Sequence, residues 1–260
     1  MFRELFLYKR YILKNSIGEL KYRYAGSVMG LFWNMLTPFF QILIYTIVFS
    51  NIMIAKLPGL KSTGAFAIYL CSGLLAWISF SEIITRGTSA FIENSTFLKK
   101  LPIPEHVFVA QIAVSSFLSS AIAYFVFSIF SYFQFGLNLV WVFVPLVLFF
   151  FLLFGFGLAL IFSSINIFFR DTSQIINIFV ALWMWLTPIV YVKEILPEDF
   201  RAIYKYNPAY PFIGGLQDLI VYNKIPEFGQ WSAMITISVI TVVVGYLVLS
   251  GLRKEIRDNL

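Results

Sequence analysis

The chain has 260 residues, of which 60% are hydrophobic and only 12% are charged, and its mean hydropathy is +0.84. Soluble domains carry about twice that charged fraction, so this composition excludes an ordinary water-soluble domain and indicates a membrane protein. The formal net charge is +6, but the Lys and Arg residues flank apolar segments instead of forming a hydrophilic basic domain, which argues against nucleic-acid binding.

Residues 1–29 precede the first long apolar run and are predicted to form an amphipathic helix. Apolar residues recur there at helical spacing, and basic residues fill much of the remaining circumference. Such a helix lies in the membrane interface, where its basic face attracts anionic lipid. The pattern fits a membrane anchor as well as a docking site for a partner.

Charge-free windows after this segment predict six membrane-spanning helices. A spanning helix needs about 20 residues, so four windows hold one helix each. The longest window holds two, divided by a turn at Gly136-Leu137-Asn138. The windows are Tyr24–Ala55, Ser62–Ser81, Val107–Phe169, Thr172–Val192 and Phe228–Leu252.

Residues 193–227 contain a further apolar stretch, Tyr206–Gln217, that is too short to cross. Prolines and a Gly-Gly pair interrupt it, so we expect a re-entrant or interfacial hairpin on one membrane face, with a surface loop as the alternative. One membrane domain over residues 1–260 results, with spans one to five in 30–192, the hairpin in 193–227, span six in 228–252 and a tail in 253–260.

An even number of spans puts both termini on one side of the membrane. Most of the 19 Lys and Arg residues fall on that side, and positive charge is retained in the cytoplasm. Both termini are therefore predicted to be cytoplasmic. The predicted fold is an all-α integral membrane protein with six transmembrane helices, an interfacial first helix and an external hairpin before the last span.

The cytoplasmic connection between spans two and three mixes charged and apolar residues before Pro102 and Pro104. A short amphipathic helix around Ala90–Leu98 is expected to project from the membrane toward a soluble partner. An ordinary cytoplasmic loop has the same composition, so this pattern alone leaves both interpretations open.

Polar residues recur on one face of two spans. Isolated polar groups are costly in lipid and tend to face protein or water, so these faces are candidates for a polar, aromatic-lined pathway; hydrogen bonds between helices are the alternative. Small residues in spans three and four, such as Gly155 and Gly157, predict close helix packing. The two polar faces comprise Asn34, Pro38, Gln41 and Tyr45 in span one, and Ser173, Asn177, Ala181, Trp185 and Pro188 in span five.

Catalytic and cofactor motifs are missing from the sequence. It has no Gly-Lys dipeptide and hence no phosphate-binding P-loop, and a single histidine, His106, argues against a histidine metal site. No carboxylate lies in mid-membrane, where a proton-driven pump would need one. We therefore expect no bound cofactor, no metal and no enzymatic activity, so that energy for uphill transport would come from another chain.

Four short blocks in order resemble the membrane subunit of ABC-2-type permeases, specifically those of bacterial polysaccharide exporters for O-antigens, capsules and teichoic acids. The likeness runs essentially end to end. The blocks are Arg23-Tyr24-Ala25-Gly26-Ser27-Val28-Met29-Gly30-Leu31-Phe32-Trp33 with Pro38, Asn166-Ile167-Phe168-Phe169-Arg170-Asp171, Thr187-Pro188-Ile189-Val190-Tyr191, and Tyr206-Asn207-Pro208 with Tyr210-Pro211.

The resemblance implies a homodimer that pairs with two soluble ATPase subunits, which bind ATP and Mg²⁺, in the cytoplasmic (inner) membrane of a bacterium. A polysaccharide linked to undecaprenyl diphosphate would pass through a channel at the dimer interface. The first helix and the connection after span two would couple to the ATPase, and the hairpin would form an external gate. No nucleic acid takes part.

Residue roles follow as expectations from topology, side-chain chemistry and this resemblance. Aromatic rings and amides suit weak contacts with a sliding glycan, and arginines suit the lipid diphosphate. The candidates are Trp33, Asn34, Gln41, Tyr45, Asn177, Trp183 and Trp185 for the channel; Arg23, Arg86 and Arg170 for the diphosphate; Phe91, Phe97, Lys99 and Lys100 for ATPase coupling; and Tyr191, Tyr206, Pro208 and Tyr210 for the gate.

Three other functions compete with this interpretation. An ABC-2 exporter of a drug or small lipid fits the same charge pattern, although the hairpin favours a polymer. A membrane-embedded lipid-modifying enzyme would need a pair of carboxylates or a His/Asp cluster, and no spacing links Glu93, Glu105 and Asp171. A structural scaffold would not need polar faces inside the membrane.

Overall fold

A computed structural model describes residues 1–52, 57, 64–136, 138–192, 204 and 206–259, and this part of the chain is helical, without a β-strand. Short 3₁₀ segments at Gly30–Phe32 and Leu139–Phe143 lead into α3 and α7, and a π-helical segment, Ile47–Ile52, follows α3. The α-helices described are α1 (Phe2–Leu7), α2 (Lys9–Tyr22), α3 (Trp33–Thr46), α4 (Ala65–Glu93), α5 (Ser95–Lys100), α6 (His106–Phe135), α7 (Val144–Asn166), α8 (Thr172–Leu186), α9 (Tyr210–Ile220) and α10 (Phe228–Asn259).

Within the described residues, five helical segments are long and apolar enough to cross a membrane. The predicted span five, α8, has only 15 residues and is about 22 Å long at 1.5 Å per residue, whereas the hydrocarbon core is about 30 Å thick. The chain is thus a multi-pass membrane protein with about five spans, and a sixth crossing would combine α8 with the residues after it. The five are Gly30–Phe49, Ala65–Glu93, His106–Phe133, Leu139–Asn166 and Phe228–Asn259.

The longest apolar window divides into two helices where the sequence predicts. α6 ends at Phe135, and Gly136 takes a φ of 75°, which a residue with a Cβ avoids. Asn138 then accepts a hydrogen bond from the backbone N–H of Val140 over 3.1 Å. Leu137 lies outside the described residues, but the prediction of two helices here is confirmed.

An aromatic cluster around α4 forms the centre of the protein. The rings of Phe80 on α4 and Phe151 on α7 stack 4.2 Å apart, and Phe151 stacks on Phe212 of α9 at 5.1 Å. Trp77 and Trp183 meet edge to face at 5.6 Å. Aromatic pairs are worth about 1 kcal/mol each beyond the area they bury, which explains the use of many of the 30 phenylalanines.

Small residues bring α7 very close to α10 and α4. A Cβ on Gly157 would lie 2.6 Å from the backbone carbonyl carbon of Thr241, and a Cβ on Gly245 would lie 2.6 Å from the carbonyl oxygen of Gly157. On the α4 side, a Cβ on Gly87 would lie 2.6 Å from that of Ala159. The predicted small-residue packing of span four is therefore confirmed at Gly157.

Both ends of the chain lie at the same end of the helix bundle. The N-terminal amine is 3.3 Å from the hydroxyl of Tyr246 on α10. Near the C-terminus, Arg257 donates a hydrogen bond from Nε to Oε1 of the buried Glu105 over 2.7 Å, just before α6 begins. The loop after Gly136 lies at the opposite end, one α6 length away.

The cytoplasmic helix predicted around Ala90–Leu98 is wrong in its bounds. α4 continues through Ala90 and ends at Glu93, because Asn94 donates its side-chain amide to the carbonyl of Ala90 over 2.8 Å. The separate helix is α5, which begins at Ser95. Ala90 and Phe91 are fully buried at the end of α4, so the part that projects is shorter than the amphipathic pattern suggested.

Candidate functional site

The predicted channel residues of α3 lie at the border between its buried and its exposed sides. Asn34 Oδ1 accepts a hydrogen bond from the hydroxyl of Tyr24 over 3.2 Å. Phe39 and Phe40, on the other side of α3, are about half exposed. Since α3 packs on α4 and α6, none of the residues that the structure describes covers its apolar side. The half-buried residues are Asn34, Gln41 and Tyr45, next to the buried Pro38.

Of the residues predicted for the polar face of span five, Asn177, Ala181 and Trp185 are exposed. Ser173 is half-buried, and Pro188, which follows the end of α8, is buried. α8 packs on α4 and α7 through Ile176, Val180 and Trp183, which are buried. The exposed side carries Asn177 and Trp185 together with apolar residues such as Ile178 and Leu182. An amide in lipid would leave its hydrogen-bonding groups without partners, so this face requires water or another protein surface against it.

Tryptophans predicted for the channel differ in placement. Trp183 is buried in the aromatic cluster, and its indole N–H donates to Oδ1 of Asn207 over 2.9 Å. Trp185 is 59% exposed. The rotation of α8 about its own axis therefore makes Trp185 the outward residue and Trp183 a core residue. Trp33 is exposed at the start of α3, where its N–H donates to Oγ of Ser27 over 3.0 Å.

Asn207 connects the described part of the hairpin to the end of α8. Besides the bond from Trp183, its Oδ1 accepts one from the backbone N–H of Ala209 over 3.0 Å. Its Nδ2 donates to the carbonyl of Leu186 over 3.2 Å and to Oγ1 of Thr187 over 2.8 Å. In the sequence, Asn207 is distinguished only as the middle residue of the block Tyr206-Asn207-Pro208, and the predicted gate residues are its neighbours.

The four residues predicted for the gate surround this connection. Tyr191 donates its hydroxyl to the carbonyl of Trp185 over 3.1 Å, and Tyr206 and Pro208 are exposed. Tyr210 is half-buried at the start of α9, a helix that inserts against α4 and α7. Residues 193–203 and 205 of the predicted hairpin lie outside the described residues.

A charge cluster at the end of the bundle near the termini joins α2 to α4. Arg23 pairs with Glu19 at 3.0 Å and with Glu82, and Arg86 pairs with Glu82 at 2.8 Å and with Glu19. The hydroxyl of Ser115 on α6 donates to Glu19 over 3.1 Å. Two of the three cations predicted for the diphosphate therefore alternate with two carboxylates, and no spacing in the sequence links Glu19 to Arg86 as a partner.

The ion pairs of this cluster hold its charged side chains in place. Burial lowers the pKa of Arg23, but Glu82 and Glu19 raise it further, so the pKa rises above its ordinary value and the guanidinium stays charged. The four side chains are between 17% and 35% exposed. The cluster thus fixes the end of α2 against α4 while its side chains remain partly exposed.

Replacing Glu82 with glutamine should loosen this connection, because Arg23 and Arg86 would then share one carboxylate. Since the groups are partly exposed, we expect a loss of only about 1 kcal/mol in the free energy of unfolding. The melting temperature of the detergent-solubilised chain would measure it, with a smaller loss at high salt.

Glu93→Gln is the matched control, because it removes the same charge from an exposed position on the same helix. Equal melting temperatures for the two variants would contradict a stabilising role for the cluster.

The remaining predicted cation, Arg170, is exposed in the turn between α7 and α8. Of the residues predicted for ATPase coupling, Phe91 is fully buried, so it cannot contact a partner from its present position. Phe97, Lys99 and Lys100 are exposed on α5. Within the described residues, no three His, Cys, Asp or Glu side chains come together as metal ligands would.

A comparison with known protein families identifies the family to which this chain belongs. The family model of the ABC-2 type transporter matches residues 15–221. The chain belongs to the ABC-2 transporter family. This ABC-2 family member is accordingly a transport permease and not an enzyme. The match runs from within α2 to the end of α9 and includes the charge cluster and Asn207.

Relatives of this permease match it over nearly its whole length. It is 29% identical to the O-antigen export system permease protein RfbA of Klebsiella pneumoniae over 93% of this chain and 92% of the relative. It is 26% identical to the protein of the same name in Myxococcus xanthus, over 99% and 98%. The polysialic acid transport protein KpsM of Escherichia coli is 22% identical, over 91% of each chain.

Proposed function

We propose that this chain is the channel-forming subunit of an ATP-driven ABC exporter that carries an undecaprenyl-diphosphate-linked polysaccharide across the bacterial inner membrane. The observation that carries the proposal is the outward polar and aromatic face of α8, with Asn177 and Trp185 exposed, in a chain similar end to end to O-antigen export permeases. A sugar polymer offers hydroxyl groups to an amide and C–H faces to an aromatic ring.

Two copies of the chain would enclose the pathway. α3 and α8 both pack on α4 and both leave one side uncovered, so a second copy on these sides would cover apolar surface and enclose Asn177. Each copy would cross the membrane six times with both termini in the cytoplasm, and the hairpin held by Asn207 would gate the external end.

ATP hydrolysis would come from two copies of a separate soluble ATPase subunit. The exposed Phe97, Lys99 and Lys100 on α5 lie at the same end of α4 as the charge cluster, through which motion of α5 and α2 would reach the spans. For the lipid diphosphate, Arg170 is the accessible cation, because Arg23 and Arg86 already pair with carboxylates.

Reconstitution with the co-encoded ATPase tests the function directly. We expect lipid-linked polysaccharide to stimulate ATP hydrolysis by the complex, and the permease alone to hydrolyse none. Stimulation by small hydrophobic drugs or by phospholipid, without a response to the lipid-linked glycan, would favour the competing drug or small-lipid exporter and reject the polysaccharide substrate.

Replacing Trp185 with alanine should reduce glycan export at least severalfold without lowering the melting temperature, since its ring is exposed in the single chain. Phe149→Ala is the matched control, because Phe149 is similarly exposed on α7 and faces away from α8 in the proposed channel. Export at the wild-type rate by Trp185→Ala and Tyr45→Ala alike would refute the channel assignment.

A further inference from the structure

A cavity of about 240 Å³ lies between α6 and α7, at the end of the bundle remote from the termini. Its walls come from α6 between Phe117 and Ser131, from the 3₁₀ segment Leu139–Phe143, from the start of α7 and from Ile220 at the end of α9. Phe117, Phe125 and Leu148 make much of this wall apolar. The cavity lies away from α8 and from the predicted channel residues.

Three polar atoms in the cavity wall are buried and have no hydrogen-bond partner among the described residues. They are Oγ of Ser120, Oγ of Ser131 and Nε1 of Trp141. Ser120 and Ser131 are 1% and 0% exposed. Unpaired buried polar atoms are rare in folded proteins and cost about 1–3 kcal/mol each, so a molecule that occupies the cavity and offers them hydrogen bonds would be favoured.

Other polar groups in the same wall are satisfied, which makes the three unpaired atoms distinctive. The hydroxyl of Ser128 donates to the carbonyl of Phe125 over 2.8 Å. Tyr124 donates its hydroxyl across to the carbonyl of Ser72 on α4. The cavity therefore presents unused donors at Ser131 and Trp141, and an indole N–H can only donate, so the occupant must carry an acceptor.

The positions of these donors define the shape of the occupant. Ser131 lies close to the end of α6, and Trp141 lies just before α7 begins, which puts both near the membrane–water interface. Ser120 lies about 16 Å deeper along α6 at 1.5 Å per residue. A fitting ligand thus has an acceptor at the interface and an apolar chain that runs toward the membrane centre past Ser120, whose hydroxyl it leaves to a carbonyl of α6.

We propose that this cavity binds one acyl chain of a glycerophospholipid from the leaflet remote from the termini, with its ester carbonyl accepting hydrogen bonds from Ser131 and Trp141. An isoprenoid chain has no acceptor along its length, and a phosphate would require cations, which the described lining lacks. The site is independent of the transported substrate, because it involves neither α3 nor α8.

Native mass spectrometry of the full chain in detergent tests the proposal. The probes are a diacyl phosphatidylethanolamine and its dialkyl ether analogue, which has the same headgroup and chains but no ester carbonyl. Two hydrogen bonds are worth about tenfold in affinity at typical net energies, so we expect the tightest-bound diacyl lipid to exceed the ether lipid by about that factor. Ser131→Ala combined with Trp141→Phe should remove the preference.

Ser128→Ala is the matched control, because it removes a hydroxyl from the same wall that already has a partner. If the double variant does not fold, Ala121→Phe, which fills the cavity from an exposed position on its wall, should lower diacyl lipid binding instead. Equal affinity for ester and ether lipids would overturn the proposal and leave water as the occupant. A polyprenyl phosphate that displaces the diacyl lipid would also overturn it.

Discussion

Replacing Gly157 with alanine should destabilise the protein by about 2 kcal/mol, although alanine is the better helix former. The new Cβ would lie 2.6 Å from the carbonyl carbon and 2.7 Å from the amide nitrogen of the Thr241–Val242 peptide. Backbone cannot rotate away as a side chain can, so α7 and α10 must separate. Overpacking of this kind costs about 1–3 kcal/mol or more, which outweighs the gain of about 1 kcal/mol in helix propensity.

Replacing Gly251 on α10 with alanine should have the opposite effect on stability. A Cβ there meets no heavy atom within 4 Å. Only the gain in helix propensity remains, so the melting temperature should stay the same or rise. The measurement is thermal unfolding of the purified chain in one detergent. A Gly157→Ala protein that melts as high as Gly251→Ala would mean that the helices adjust freely at this crossing.

Gly245→Ala tests whether the two glycines serve the same contact. Its Cβ would lie 2.6 Å from the carbonyl oxygen of Gly157, so each variant forces the same pair of helices apart. Once the helices have separated for one methyl group, the second fits at lower cost. The double variant should therefore lose less than the sum of the single losses, as residues that share a contact do.

Features that depend on local spacing could be predicted from the sequence. The apolar windows gave the long helices, Gly136 gave the break between α6 and α7, and the spacing of Asn177, Ala181 and Trp185 gave one exposed face of α8. Each of these follows from the helical period or from a backbone conformation of a single residue, and needs no knowledge of distant parts of the chain.

Features that depend on contacts between distant residues could not be predicted in this way. Glu19 is 67 positions from Arg86, and in isolation it is one more charge on an interfacial helix. Trp183 and Trp185 differ by two positions and have the same chemistry, so only the rotation of α8 against α4 separates a core residue from an exposed one. The burial of Phe91 likewise follows from where α4 packs.

Asn207 is where these long-range contacts converge, and its replacement with alanine should have the other large effect. The indole N–H of Trp183 and the backbone N–H of Ala209, both in buried residues, would lose their acceptor. Each unsatisfied buried group costs about 1–3 kcal/mol, so we expect a loss of about 2–4 kcal/mol in the free energy of unfolding. Thermal unfolding in detergent measures it.

A double-mutant cycle with Trp183→Phe separates the hydrogen bond from the loss of packing. Phenylalanine has no N–H to leave unpaired, so Trp183→Phe should cost less in the Asn207→Ala background than in the wild type. Pro208→Ala, next in the chain and exposed, controls for general disturbance of the segment and should leave the melting temperature unchanged. Additive losses in the cycle would show that the 2.9 Å contact between Trp183 and Asn207 contributes no stability, and the hairpin would then have to be held by other contacts.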